Sequence, residues 1–340
     1  MEFSPIIAAL IAFLVCAASG KVVIPYLHKL KFGQTILDIG PKWHANKQGT
    51  PTMGGVMIIF GVIIGVILSI LASFMYGGEF FISLKVTGQL TKFVAGIVLA
   101  LGMGAIGFID DYIKVVKKRN LGLTAKQKTF LQFLVAAGFL LALWLSGYNT
   151  TWIPFVGYVP VNEGIGLIFW PISLFFIYGF TNAVNLTDGI DGLASTVTLV
   201  VCCGFMLCAG YLQNIGYNTL ACAIAGGCAG FVVWNAHPAK VFMGDTGSMF
   251  LGGAVVALSY GINCPIILLL IGIVYLCEAF SVILQVAYFK KTQKRLFKMS
   301  PIHHHFEKCG WSEVKIVAVF SAVTVVFSAI SYYILYNNLI

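Results

Sequence analysis

Charge is what this sequence has least of. Only 10% of its 340 residues are Asp, Glu, Lys or Arg, against roughly a quarter in a soluble domain. A chain so poor in charge cannot present a solvated surface all round, which excludes an ordinary soluble globular protein. Its 9 cysteines contain no C-x-x-C pair, so neither a zinc site nor a disulfide framework is indicated. Cys16, Cys202, Cys203, Cys208, Cys222, Cys228 and Cys277 fall in apolar runs and read as small buried hydrophobes. No polar stretch is long enough to form a separate soluble domain. No basic residue precedes the apolar run Met1–Gly20, Lys21 being the first. That run therefore reads as a first transmembrane helix rather than a cleaved signal.

What is present is hydrophobicity: 59% of residues are hydrophobic and the mean hydropathy is +0.93. Apolar runs of about 17–25 residues, long enough to cross a ~30 Å hydrocarbon layer as helices, recur along the whole length. We place ten spans, at roughly 4–27, 53–75, 91–109, 127–146, 164–184, 193–211, 217–234, 247–262, 265–288 and 314–336. The seventh and eighth are short and rich in glycine. The expected fold is an all-α polytopic membrane protein, one integral membrane domain over 1–340 with about ten helices around a cytoplasmic-facing cleft. Gly61-x-x-x-Gly65 is a small-xxx-small pattern of the kind that packs helices.

The basic residues give the orientation. Lys29, Lys31, Lys42 and Lys47, then Lys114, Lys117, Lys118, Arg119, Lys126 and Lys128, then Lys240, then Lys290 through Lys308, fall in connections on one side. The other side holds only Lys85 and Lys92. The basic side is expected to be cytoplasmic, with both termini outside. This asymmetry and the attraction of anionic lipid account for the net charge of +9, and no nucleic-acid partner is needed. All six aspartates (Asp38, Asp110, Asp111, Asp188, Asp191 and Asp245) share the basic side, whereas Glu2, Glu79 and Glu163 lie opposite. Carboxylates gathered among cations at helix ends point to a polar site at the cytoplasmic mouth. The outer connection Tyr148–Gly164 reads as a cap without chemistry.

Five stretches on that side carry candidate chemistry. Asp110 and Asp111 end an uncharged run from Phe93; adjacent anions at a helix C-terminal end call for a cation. Lys114 can serve both, at i,i+4 and i,i+3, and a divalent ion or bound substrate would serve better. Asn185, Asp188 and Asp191 are spaced three apart and would share an arc of about 120° if their segment were helical; N-capping explains one aspartate, not three groups in register. Gly244-Asp-Thr-Gly-Ser248 opens an apolar helix as an anion-binding turn would. Asp245 within it would repel phosphate unless a cation such as Mg²⁺ lay between. His303, His304 and His305 are consecutive and cannot converge on one tetrahedral metal, but suit phosphate or sugar oxygens. Lys47 and Thr52 in the first loop could donate to a phosphate or a base. Glu278, inside the ninth span, must face the protein interior.

Gly49-Thr-Pro-Thr-Met-Gly-Gly55, Asp110-Asp111-x-x-Lys114, Asn185-x-x-Asp188-x-x-Asp191-Gly, Phe242-Met-Gly-Asp-Thr-Gly-Ser248 and Pro301-x-His-His-His-Phe306 together resemble the polyprenyl-phosphate N-acetylhexosamine-1-phosphate transferases. They occur in family order from the first loop to the last. The histidine motif favours the member whose donor is UDP-N-acetylmuramoyl-pentapeptide. The resemblance implies that undecaprenyl phosphate, arriving from the membrane lipid, attacks that donor's β-phosphorus with Mg²⁺, giving the undecaprenyl-diphosphoryl sugar (lipid I) and UMP for peptidoglycan synthesis. It implies catalytic roles for Asp110, Asp111, Asp245 and His304, with Asp245 on the metal. Substrate contacts would come from Lys47, Thr52, Lys114, Asn185, Asp188, Asp191, Asn235, His303 and His305. A homodimer is implied as well, with no residue marking its interface. Two rival readings are a transferase for another donor such as UDP-N-acetylglucosamine and an ion-coupled transporter; a non-catalytic lipid-binding scaffold fits the motifs poorly.

Overall fold

The computed structural model of the chain describes residues 3–29, 47–78, 80, 84, 89–116 and 122–338. Glu2, Lys31, Asp38, Lys42, Glu79, Lys85 and the Lys117-Lys118-Arg119 cluster lie outside the described residues.

The chain is helical almost throughout. Its helices are α1 (Ser4–Lys29), α2 (Gly55–Met75), α3 (Leu90–Val116), α4 (Ala125–Leu145), α5 (Phe169–Thr187), α6 (Leu193–Tyr211), α7 (Ile215–Asn235), α8 (Gly244–Gly261), α9 (Ile273–Thr292), α10 (Ile302–Glu307) and α11 (Glu313–Asn338). Local chemistry sets several boundaries. At the start of α4 the Thr124 hydroxyl accepts from Gln127 N–H while the Gln127 side chain accepts from Thr124 N–H, a reciprocal capping box. Asn214 caps α7 through Tyr217 N–H.

Among the described residues, nine helices are long and apolar enough to cross a membrane, and each overlaps one of the expected spans. The eighth expected span, α8, is different in kind. Sixteen of its residues, from Thr246 to Gly261, are buried, because α2, α3, α5, α6 and α7 pack around it. A helix that meets only protein needs small residues for close packing more than it needs the apolar surface that lipid demands. The ninth expected span is not continuous. Short helical turns at Pro265–Ile267 and Leu268–Ile271 precede a break at Gly272, after which α9 begins.

Outside this core, α1 lies against α2 and α7, and α11 against α6. The Gly61-x-x-x-Gly65 pattern marks the α1–α2 contact: a Cβ on either glycine would lie 2.7 Å from a carbonyl of α1, Ala12 O or Ala8 O. Phe74, Val98, Phe175, Ile283 and Val326 are exposed on outward faces, where the hydrocarbon would meet them. Cys203 and Cys277 are exposed as well. They correct the expectation that every cysteine in an apolar run is buried, since a thiol on a lipid-facing surface carries no hydration penalty.

The connection after α4 adds a two-stranded antiparallel hairpin, β1 (Thr150–Ile153) with β2 (Gly157–Pro160). Trp152 N–H donates to Asn263 O at 2.8 Å, tying this connection to the one after α8. The aspartates lie at the other ends of these helices.

Candidate active site

The site is built where α3 ends and α8 begins. Gly107 lets the two backbones meet: a Cβ there would lie 2.1 Å from the Asp245 carbonyl oxygen. One turn on, Asp110 and Asp111 leave α3 buried. Asp111 Oδ2 accepts from both Thr246 N–H (2.9 Å) and Thr246 Oγ1–H (2.8 Å). In the first turn of α8, expected from sequence to favour phosphate, the N–H and hydroxyl of Thr246 are taken instead by the carboxylate of Asp111. Unpaired N–H groups and the positive end of the helix favour it there.

Asp110 Oδ1 accepts from Leu123 N–H at 2.7 Å, and Oδ2 pairs with Lys114 at 2.6 Å. Lys114 also lies 3.8 Å from Asp111 Oδ1 and 3.0 Å from Asp245 Oδ2, so it serves both neighbours as their spacing implied, and a third carboxylate besides. Lys128 Nζ reaches the same Asp245 oxygen at 2.9 Å. Asp245 Oδ1 accepts from the Asn185 amide at 2.8 Å, and that amide lies 2.8 Å from Ser248 Oγ. The carboxylates of Asp110, Asp111 and Asp245 each offer an oxygen within 4.8 Å of the others. Three hard oxygen donors at that separation suit Mg²⁺. Here two ammonium groups offset two of the three negative charges, and a cation would offset the rest.

The connection between α5 and α6 is not the continuous helix that would align Asn185, Asp188 and Asp191. Helix α5 stops at Thr187, Asp188 caps it, and Gly192 takes a left-handed conformation (φ 77°) before α6. The three residues therefore diverge. Asn185 turns to Asp245. Asp188, half-buried at the break, has its carboxyl pushed up to about 7 by burial, reinforced by the charges of Asp245, Asp111 and Asp191. Asp191 is buried on another side. Its Oδ1 pairs with Lys47 at 2.7 Å, and its Oδ2 meets His237 Nδ1 and Ala239 N–H, each at 3.0 Å. Lys47 also lies 2.7 Å from Glu313 Oε2, which accepts from Asp191 N–H at 2.8 Å.

Asn235 is buried and its amide is fully engaged. The oxygen accepts from Gly192 N–H and Ser195 Oγ–H, both at 3.1 Å, and the nitrogen donates to Val241 O at 2.9 Å. It joins the loop before α6 to the loop before α8. Thr52 stands beside the start of α8, its hydroxyl 2.8 Å from where a Gly244 Cβ would be. Pro51 O accepts from Phe242 N–H at 2.8 Å, holding the first loop there.

The three histidines fan out around the short helix α10. His303 is buried and bonds Glu278, which names the interior partner that Glu278 required. His304 pairs with Glu307, and His305 Nδ1 accepts from Lys298 N–H at 3.1 Å.

Lys128, His237 and Glu313 are members of these networks that sequence reasoning missed. A signal existed for Lys128: a lysine in the first turn of α4 opposes the helix dipole, so a carboxylate elsewhere was to be expected. Glu313 in the first turn of α11 is favourable where it stands and gave none.

Comparisons with known proteins identify the family. A family model described as glycosyl transferase family 4 matches residues 93–263, and the phospho-N-acetylmuramoyl-pentapeptide-transferase signature 1 matches residues 47–59. The chain is 47% identical over 328 residues to the phospho-N-acetylmuramoyl-pentapeptide-transferase of Clostridioides difficile (strain 630), covering 95% of each chain. It is 44% identical over 330 residues to that of Clostridium perfringens (strain SM101 / Type A), covering 96% of this chain and 95% of the relative. For the Bacillus mycoides (strain KBAB4) enzyme the identity is 42% over 334 residues and 98% of each chain. Similarity of this extent, running through the loops that build the carboxylate cluster, makes the chain a membrane-embedded phosphosugar transferase and a member of the phospho-N-acetylmuramoyl-pentapeptide-transferase family.

Proposed function

We propose that this protein transfers phospho-N-acetylmuramoyl-pentapeptide from its UDP derivative to undecaprenyl phosphate, releasing UMP. The observation that carries the reading is the meeting of Asp110, Asp111 and Asp245 within 4.8 Å, beneath Lys114 and Lys128 and beside Asn185. With Mg²⁺ bound, that would be a charge-matching site for a diphosphate, at the ends of helices where a lipid substrate and a nucleotide substrate can both arrive.

The reaction forms one P–O bond, from the lipid phosphate oxygen to the donor's β-phosphorus. It breaks another, from that phosphorus to the bridging oxygen, which leaves on UMP. In-line transfer of this kind needs positioning and charge neutralisation more than covalent help. A phosphate monoester, with a second pKa of about 6, is already largely ionised at neutral pH. The demand for a general base is therefore small, and direct attack is preferred to an aspartyl-phosphate.

Asp245 would hold Mg²⁺, with Asp111 and Asp110 beside it; the bound ion supplies charge neutralisation on the diphosphate. Asn185 fixes the Asp245 carboxylate by donating to Oδ1. Asp111, anchored on the first turn of α8, keeps α3 and α8 in register. Asp110 and Lys114 form the wall toward the lipid phosphate, Lys114 attracting the anion and Asp110 orienting it. Lys47, Thr52 and Asp188 line the approach to the donor, as do His304 and His305. Asp191, Asn235 and His303 support the loops from below. The site is on the cytoplasmic face of the bacterial inner membrane, both termini are outside, and the enzyme is a homodimer by family expectation.

The test uses purified protein, undecaprenyl phosphate and Mg²⁺ with two labelled donors, the N-acetylmuramoyl-pentapeptide and the N-acetylglucosamine derivatives of UDP. Label should enter lipid from the first, with UMP released. Labelling only from the second would replace this reading with the same chemistry on another sugar.

A further inference from the structure

The buried pair Glu278–His303 lies outside the carboxylate cluster and packs against Gly189, the chain neighbour of Asp188. Glu278 is the one carboxylate in the interior of α9, fully buried, and an isolated ion there would cost several kcal/mol. Its Oε2 lies 3.0 Å from His303 Nδ1 on α10, 25 residues further on. His303 is fully buried too. With Nδ1–H given to Glu278, the opposite edge of the ring, Nε2, is turned to the loop between α5 and α6. A Cβ built on Gly189 would lie 2.1 Å from Nε2 and 2.5 Å from Cε1. The imidazole is thus the floor on which Gly189 rests, and only glycine fits above it. Gly189 adjoins Asp188, the carboxylate at the break of α5. Nε2 and Glu278 Oε1 have no hydrogen-bond partner among the described residues, so the Nδ1–Oε2 bond is what fixes the ring's rotation.

We infer that Glu278 is a positioning residue for the transfer reaction: by fixing the His303 ring it sets the height and direction of the Asp188–Gly189 segment over the donor site. Groups that orient a metal-bound imidazole through its second nitrogen typically contribute 10- to 100-fold when removed, and the same scale is expected for a ring that positions a loop. Length matters more than charge in this role. Glu278→Asp keeps the negative charge but withdraws the oxygen by about one C–C bond, too far for a hydrogen bond to be kept. Glu278→Gln keeps the reach and an oxygen acceptor while losing the charge.

The inference rests on the proposed transferase reading, so wild-type protein is assayed first, and an inactive wild type would count against that reading alone. With active wild type, kcat and KM for the UDP donor are measured for Glu278→Asp, Glu278→Gln, His303→Asn and the double variant Glu278→Asp/His303→Asn. The expected result is a 10- to 100-fold fall in kcat for Glu278→Asp and a loss at least fivefold smaller for Glu278→Gln. The double variant should be no worse than His303→Asn within about twofold, because the two groups act as one. Should Glu278→Asp fail to fold, the same comparison is made with Glu278→Gln, whose loss must disappear in the His303→Asn background. Multiplying losses in the double variant, equal losses for Gln and Asp, or wild-type turnover for Glu278→Asp would each overturn it.

Discussion

Asp245 receives two lysines and an asparagine on its two oxygens, and no other aspartate in the site is so placed. Removing its charge leaves Lys114 and Lys128 facing each other and takes the central oxygen donor from the proposed metal position. Asp245→Asn is therefore expected to lose turnover by at least 10³-fold, the scale of a principal electrostatic group, and to lose any rise in melting temperature on adding Mg²⁺. Retention of the Mg²⁺-induced shift would remove Asp245 from the metal site. Asp188 gives a pH test. Its carboxyl is pushed from 3.8 up to about 7 by burial, chiefly, and by neighbouring carboxylates. Between those values the folded, metal-free protein holds a proton that the unfolded chain has lost. Its stability contribution is thus present below about pH 4 and declines as pH rises through about 7. In EDTA, the melting temperature of Asp188→Asn should be less sensitive to pH over this window than that of wild type; identical slopes would contradict the assignment. At this scale the sequence was most legible where residues are neighbours. The service of Lys114 to Asp110 and Asp111 follows from helix spacing. The separation of Asn185 from Asp191 does not, because it depends on where α5 stops.

Elements carry the precision of the site. The contact of α3 with α8 at Gly107 holds Asp110 and Asp111 against the start of α8, and no side chain fits between the backbones. Gly107→Ala is expected to destabilise the protein by about 1–3 kcal/mol, the usual cost of overpacking, and to depress activity through displaced carboxylates. Gly138→Ala, on an open face of α4 with nothing near the added methyl, is the matched control and should melt no lower than wild type. Equal melting of the two variants would show that the contact is slack. Helix existence was readable from apolar runs, since lipid requires long uncharged surfaces. Helix α8 was hardest to read, because a helix enclosed by five others is released from that requirement. The break at Gly272 left no mark beyond one glycine within a continuous apolar run.

The whole molecule separates its chemistry by side. The hairpin, Trp152 and Glu163 belong to one end of the bundle, and Asp110, Asp111, Asp188, Asp191 and Asp245 to the other, joined there by Glu313; the confinement of the aspartates to one side was already visible along the chain. The orientation proposed from basic residues places the chain's C-terminus outside. A periplasmic reporter such as alkaline phosphatase fused after Ile340 should be active in cells, and an inactive fusion with full expression would invert the topology. What sequence could not convey at this scale is which cations reach which carboxylates. Lys47 and Asp191 are 144 residues apart, and Lys128 and Asp245 are 117 apart; only the folded bundle pairs them. On the proposed reading, this carboxylate cluster serves the transfer of a phosphosugar to a lipid phosphate. The most direct measurement follows UMP release and lipid labelling by purified protein with undecaprenyl phosphate, Mg²⁺ and both labelled UDP donors. Equimolar UMP and lipid-linked N-acetylmuramoyl-pentapeptide, abolished by EDTA, is the expected result. Labelled lipid formed only from UDP-N-acetylglucosamine, or no UMP from either donor, would contradict it.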